Sequence, residues 1–232
     1  MNIKKHKGFS LLELLTVLAL SSLILPIIFN AYTSYQQNQN NLKNHLSEYA
    51  DFIFIKSLLI NSIHEAGYAP CLPLASLDSQ ENLPQVKILP QGITLNRMKT
   101  PLAEVTLIDE RHIEWWDKQK LDLTNTYILA DCYHAELTKI NHVSASFPKK
   151  IISLEKPLTQ AFIPPIYMGV WLSETISLNP ATNTLIYHTS HSDTLSAKVN
   201  KFTAEINNKL LTIKLTMLSK QNYQFSIRMR NG

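Results

Sequence analysis

The sequence predicts an α+β fold: a long N-terminal α-helix, its first half transmembrane, packed on an antiparallel β-sheet domain. Three observations predict it. From Phe9 to Phe29 the chain is almost wholly apolar, and roughly 20 apolar residues suffice to cross a bilayer as a helix. From Leu42 to Ile63 apolar residues recur at spacings of three and four, the period of a helix with one buried stripe. Beyond residue 67 neither a helical period nor a β-α-β alternation appears. An antiparallel sheet laid against the helix is then the economical arrangement.

The first element carries the most specific signal. Lys4, Lys5, His6 and Lys7 precede the apolar run, Gly8 and Phe9 open it, and Glu13 interrupts it about one turn in. A carboxylate at the centre of a membrane helix costs about 3 kcal/mol, so an acid there points to a functional partner. These residues resemble the type IV prepilin signal, in which a short basic leader, a glycine, a phenylalanine and a glutamate precede a hydrophobic helix. The resemblance implies cleavage by prepilin peptidase between Gly8 and Phe9 and N-methylation of Phe9. It also implies that Glu13 is an assembly contact, meeting the N-terminus of a neighbouring subunit. A buried cation–carboxylate contact compensates two charges that are each costly alone. An ordinary secretory peptide places a small-residue cleavage site after its apolar core. Here the glycine lies before the core, and no A-x-A-like site follows closely.

The helix continues past the apolar run. Pro26 removes one backbone hydrogen bond and predicts a kink. The polar row from Gln36 to Asn41, with Tyr32 and Tyr35 before it, reads as the wet middle of a helix leaving the membrane. Leu42, Leu46, Tyr49, Phe52 or Ile53, Leu59 or Ile60 and Ile63 then form one stripe, interrupted at Lys56. Gly67 and Pro70 stop it. The expected domains are a leader over 1–8, a spine helix over 9–66 with its transmembrane segment at 9–29, and a β-rich head over 67–232.

From Gly67 to Pro101 five prolines separate short apolar runs, and this stretch reads as loop. Val105–Ile108, Arg111–Trp116 and Tyr127–Ala130 read as strands, rich in β-branched and aromatic residues. Ala135–Ile140 and Ala145–Leu154 are weaker. Val170–Leu178 and Thr184–His188 flank the turn Asn179–Asn183 as a hairpin. Lys209–Leu218 and Tyr223–Met229 alternate cleanly and form the last pair.

Composition narrows the function classes. Hydrophobic content of 45% with 17% charged residues argues against bulk disorder. Five glycines against 11 prolines favour stiff loops. The three lysines of the leader account for most of the formal charge of +4, and no basic footprint for nucleic acid remains. Cys71 and Cys132 are the only thiols. If the first helix places the rest outside the inner membrane, both lie in an oxidising compartment. There they are expected to form a disulfide rather than a metal site, two separate buried thiols being the alternative.

Four downstream segments resemble, in order, those of the PilW family of minor pilins: Ile63–Cys71, Ala130–Leu137, Ser192–Val199 and Phe225–Asn231. The low glycine content and the early Pro26 depart from that pattern. The resemblance implies a minor pilin of the type IV pilus, taking part in assembly or priming. Its partners are prepilin peptidase, other minor and major pilins and the assembly machinery in the inner membrane. Its head is placed in the periplasm before assembly, and the protein in the pilus or at its tip afterwards. The J-type minor pseudopilin of a type II secretion system shares the signal and the plan. A membrane-anchored periplasmic binding or enzymatic domain is the reading from a different class.

Enzymatic constellations are poor, and no catalytic residue, cofactor or metal ligand is assigned. His188, His191 and Asp193 sit on a strand end, where residues three apart do not share a face. Asp109, Glu110, Glu114 and Asp117 are interleaved with basic residues and read as a solvated loop. Phosphate loops, nucleophile elbows and H-E-x-x-H are absent from the sequence. Trp115, Trp116 and Trp171 are assigned to the core, with a subunit contact as the alternative.

Overall fold

The structure is a computed structural model that describes residues 11–79, 83–116, 121–145 and 149–229. The chain forms two compact units, Met1–Ala50 and Asp51–Gly232. Helix α1 (Leu11–Glu65) begins in the first and ends in the second, with Pro26 inside it. Among the described residues twelve strands follow: β1 (Val86–Leu89), β2 (Gly92–Leu107), β3 (His112–Trp115), β4 (Thr126–Ala130), β5 (Ala135–Ala145), β6 (Lys150–Leu154), β7 (Ile166–Asn179), β8 (Thr184–His188), β9 (Ser192–Ser196), β10 (Val199–Asn207), β11 (Leu210–Met217) and β12 (Asn222–Arg228). The α+β layout, one long apolar helix followed by antiparallel sheet, is the one expected.

In the first unit the apolar run is solvent-facing all round. Leu11, Leu12, Leu18, Leu23, Ile27 and Phe29 are each more than half exposed. By length and composition α1 is able to cross a membrane. Water penalises such a surface by about 25 cal/mol for each Å², so this segment belongs in lipid or against other apolar helices. Glutamines Gln36 and Gln39 donate to the hydroxyls of Tyr32 and Tyr35 one turn earlier, at 2.9 and 2.6 Å.

In the second unit the end of α1 is a core element. Phe52, Ile55, Leu59, Ile63 and Ala66 are buried against Ile93, Leu95, Ile176 and Leu185 of one sheet and Phe202, Leu211, Ile213, Leu215 and Phe225 of another. The buried stripe therefore runs through Ile55 and not Lys56, which corrects the phase expected from sequence. Leu42, Leu46 and Tyr49 are exposed rather than on that stripe. The choice between adjacent apolar residues depends on which face meets the sheets, and periodicity alone leaves it open. Phe52 stacks on Tyr223, with ring centroids 4.3 Å apart. The helix stops at Gly67, whose φ of 75° suits a residue without a β-carbon.

The sheets hold more order than sequence suggested. The first has the strand order β1-β2-β3-β6-β5-β4-β7-β8-β9, with β2 also pairing β7. That extra pairing closes β2, β3, β6, β5, β4 and β7 into a small antiparallel barrel. Alternate residues point into it: Ala103 and Val105, Ile113 and Trp115, Tyr127 and Leu129, Ile152 and Leu154, Ile166 and Met168. Closure leaves these six strands without a free edge over the paired stretch. Among the described residues the barrel core contains none from the helix, which packs against the other core. Strands β10, β11 and β12 form the second sheet.

The stretch read as loop from Gly67 to Pro101 contains β1 and most of β2, a correction with a clear cause. Pro84 and Pro90 sit just outside β1, while Pro101 falls where the β2–β7 register shifts between Lys99 and Ala103. A proline cannot donate to a ladder and is tolerated at such irregularities. Strand β10 was also missed. Its buried positions, Val199, Phe202 and Ala204, straddle a register shift that breaks the period of two. Trp115 is buried as expected, but Trp116 is exposed, with Lys149 Nζ 4.3 Å from its ring centroid.

Gly169 of β7 marks where the closing strands approach. A β-carbon there would lie 2.9 Å from Met98 Cγ and from Leu102 Cδ2 and 3.1 Å from the Lys99 carbonyl oxygen, so these neighbours would have to shift. Gly169→Val is therefore expected to cost about 1–3 kcal/mol by overpacking, read as a lower urea midpoint. An unchanged midpoint would mean that the crossing is looser than described.

Candidate assembly segment and the disulfide-closed loop

The cleavage and methylation positions, Gly8 and Phe9, lie outside the described residues. Glu13 is exposed in the first turn of α1. Thr16 Oγ1 donates to the Glu13 carbonyl at 2.9 Å, a local bond available to a hydroxyl in an apolar setting. Glu13 thus lies in a helical run whose apolar residues are exposed.

Cys71 and Cys132 are joined by a disulfide with Cα atoms 4.9 Å apart across 61 residues. The bond ties the chain leaving α1 to the β4–β5 turn. Closing a loop of that length contributes about 4 kcal/mol in the chain-entropy account. The double substitution Cys71→Ser/Cys132→Ser should therefore lower unfolding free energy by about that amount. Equal urea midpoints with and without the bond would show that it adds nothing to the folded state.

Next to the bridge lies a polar anchor that sequence reasoning did not single out. Asp131 is fully buried. Its Oδ1 accepts the N–H groups of Tyr133 and His134 at 2.6 and 2.5 Å, and its Oδ2 accepts that of Ile163 at 2.6 Å. His134 Nδ1 lies 3.2 Å from Oδ2. Burial on its own pushes the carboxyl pKa up, but these donors outweigh it and hold the pKa below the ordinary value. An Asp before a turn is a common local capping residue; the reach to Ile163, 32 residues away, is a tertiary fact.

The pH consequence has a definite sign. A carboxyl with a depressed folded-state pKa adds stability above its unfolded value of 3.8, and loses it as pH falls through the folded value. The urea midpoint should fall below about pH 4 more steeply in the native protein than in Asp131→Asn. Parallel profiles would remove Asp131 from the acid response.

Among the described residues, the other polar groups singled out from sequence make local pairs. His188 Nδ1 lies 2.6 Å from Ser192 Oγ, and His191 Nε2 lies 3.2 Å from Asp193 Oδ2, all on an exposed strand end. Asp109 caps its own turn, accepting from the N–H groups of Arg111 and His112. Glu114 pairs with Lys149 at 2.6 Å. Asp117 lies outside the described residues. Among the described residues no three of His, Cys, Asp and Glu converge to hold a metal ion.

A second buried polar group was missed altogether. Arg97 of β2 bridges Glu65 at the end of α1, at 2.7 Å, and Glu174 of β7, at 2.6 Å. Glu174 is 3% exposed. Arg97 lay in the stretch read as loop, so its sheet position and its partners 32 and 77 residues away left no local signal.

Comparison with known families matches residues 3–25 to the prokaryotic N-terminal methylation motif. The match spans the basic segment, Gly8, Phe9, Glu13 and most of the apolar run. No curated protein and no solved structure matches the chain. The motif is of the prepilin type and supports a type IV pilin-like protein. It indicates a pilin or pseudopilin processed by prepilin peptidase, and it points to a structural rather than an enzymatic role. Together with the apolar helix, it fits membrane anchoring and association with a pilus.

Proposed function

We propose that this chain is a minor pilin of the type IV pilus, of PilW type, that takes part in pilus assembly or priming. The observation that carries the reading is the methylation motif over residues 3–25, which runs into an exposed apolar helical segment. In this reading the leader Met1–Gly8 is removed and Phe9 is methylated. Residues 9–29 hold the subunit in the inner membrane with the head in the periplasm. Extraction from lipid is then offset by packing α1 against the helices of other pilins. Glu13 meets the terminal amine of a neighbour, and the head, clasped by Cys71–Cys132, lies on the outside.

The support for PilW type is the order of the four sequence segments. Ile63–Cys71 carries the helix end and the first half-cystine, Ala130–Leu137 the second, and Ser192–Val199 covers β9. Deletion of the gene tests the proposal. Loss of surface pili with intact protein secretion is the expected phenotype. Intact pili with lost secretion would instead place the chain in a type II secretion system as a J-type pseudopilin. Loss of neither would return it to the class of anchored periplasmic domains.

A further inference from the structure

Among the described residues the two sheets end on four edge strands, β1, β9, β10 and β12. An edge presents unpaired N–H and C=O groups to any extended chain, and proteins ordinarily blunt it with short length, proline, charge or a bulge. Three of these edges are blunted. Strand β1 has four residues, held between Pro84 and Pro90. Strand β9 is short, carries Asp193 and meets a register shift between Leu185 and Ile186. Strand β10 opens on a register shift between Val199 and Lys201. Strand β12 is different: its seven residues keep unbroken register with β11 and contain no proline. The geometry of its free side follows from the preceding hairpin. Asn208 and Lys209, both at positive φ, form a two-residue turn that closes on the hydrogen-bonded pair Asn207 and Leu210. The backbone of β11 therefore faces β12 at Leu211, Ile213 and Leu215, opposite Ile227, Phe225 and Tyr223. The alternate residues Asn222, Gln224, Ser226 and Arg228 aim their N–H and C=O groups outward, and among the described residues no backbone group pairs with them. Charge distinguishes this edge further. Residues 198–232 carry seven basic side chains and one acid, Glu205, whereas residues 9–197 carry 12 basic and 17 acidic. On the exposed face Arg228 stands in β12 itself, and Lys214 lies opposite Gln224 with Glu205 3.8 Å away.

We propose that the free edge of β12 takes an extended, acidic segment of another protein chain as the fourth strand of this sheet. An extended backbone supplies donors and acceptors at the spacing that Gln224 and Ser226 present. Its alternate side chains point to opposite faces. Carboxylates on the outer face meet the fields of Arg228 and Lys214, and apolar side chains on the other face extend the core beyond Phe225 and Ile227. A second copy pairing through its own β12 sets two basic sheets edge to edge, and like charge disfavours that arrangement. The contact uses only the second unit and is separate from the assembly role given to α1.

The test follows amide hydrogen exchange at Gln224 and Ser226 by NMR, in the full chain in detergent micelles. The probe is the blocked peptide Glu-Val-Glu-Val-Glu-Val-Glu. Lys-Val-Lys-Val-Lys-Val-Lys is the charge control, and Glu-Pro-Glu-Pro-Glu-Pro-Glu keeps the charge but cannot pair as a strand. Both N–H groups are expected to exchange fast in the protein alone. At a concentration about ten times its Kd the acidic probe should slow them about tenfold, with no response to either control. Gln224→Pro removes one outward N–H at an edge, where proline is tolerated, and should abolish protection at Ser226. If that variant does not fold, Arg228→Glu decides: it should weaken the acidic probe several-fold and admit the lysine peptide. Protection that grows with protein concentration in the absence of peptide would give the edge to a second copy, and protection at every concentration would show it already covered. Either of these results, no protection by the acidic probe, equal protection by a control, or binding unaltered in the folded variants overturns the proposal.

Discussion

Gly8→Asp is expected to leave an unprocessed precursor that still carries Met1–Gly8, while Glu13→Ala is expected to be processed normally and then fail to enter the filament. The two substitutions separate two steps carried by one short stretch. In the proposed processing the cut follows Gly8, so a carboxylate there should reduce mature protein to a trace. In the same proposal Glu13 acts later. In the proposed filament its carboxylate and the amine of a neighbour are both removed from water, and breaking such a buried pair costs about 3–5 kcal/mol. At 1.4 kcal/mol for each factor of ten, this is at least a hundredfold loss of incorporation. Mass spectrometry of the N-terminus in membrane and pilus fractions reads both steps. A mature N-terminus other than methylated Phe9, or pili that carry Glu13→Ala at the native level, would remove the basis of the pilin reading.

The second large effect lies in the head. Arg97→Met should cost about 3–5 kcal/mol, because it leaves Glu174 charged, buried and without its ion-pair partner. Glu65 contacts the same guanidinium, but its side chain is 63% exposed. Glu65→Gln should therefore cost less than about 1 kcal/mol. Restoring neutrality with Arg97→Met/Glu174→Leu is expected to recover much of the loss, since an apolar pair often replaces a buried ion pair without penalty. Urea unfolding of the wild type and the three variants gives the three costs. If Arg97→Met and Glu65→Gln were equally mild, Glu174 would have to be hydrated rather than buried.

The two effects differ in how visible they were in sequence. Glu13 stood out because a single acid in an otherwise apolar segment is a local anomaly with a known cost. Arg97 and Glu174 did not stand out, because a charged residue on a strand is ordinary until its burial is known. Asp131 is intermediate. Its cap on Tyr133 and His134 follows from Asp-turn chemistry, whereas its bond to Ile163 requires the β6–β7 connection to pass overhead.

The strands divide in the same way. His112–Trp115 and Leu210–Met217 bury alternate residues, and their period of two was plain. Strand β2 was hidden by Pro101 and by its length. It serves two partners in succession, and its residues change surroundings from the helix-facing core (Ile93, Leu95) to the barrel interior (Ala103, Val105). No single periodic pattern survives that change. Likewise, one apolar stripe on α1 was legible, but whether Ile55 or Lys56 lay on it depended on the sheets it meets.

What the sequence by itself determined is therefore what depends on near neighbours: the methylation motif, an apolar run long enough for a bilayer, a helix ending at Gly67, and strands with clean alternation. These follow from helix and strand periods and from the cost of placing charge in lipid, all set within a few residues. Tertiary structure alone decided the barrel closure through β2 and β7 and the burial of Asp131 and Glu174. Each of these joins residues tens of positions apart, and its energy arises from excluding water between surfaces that only the fold brings together.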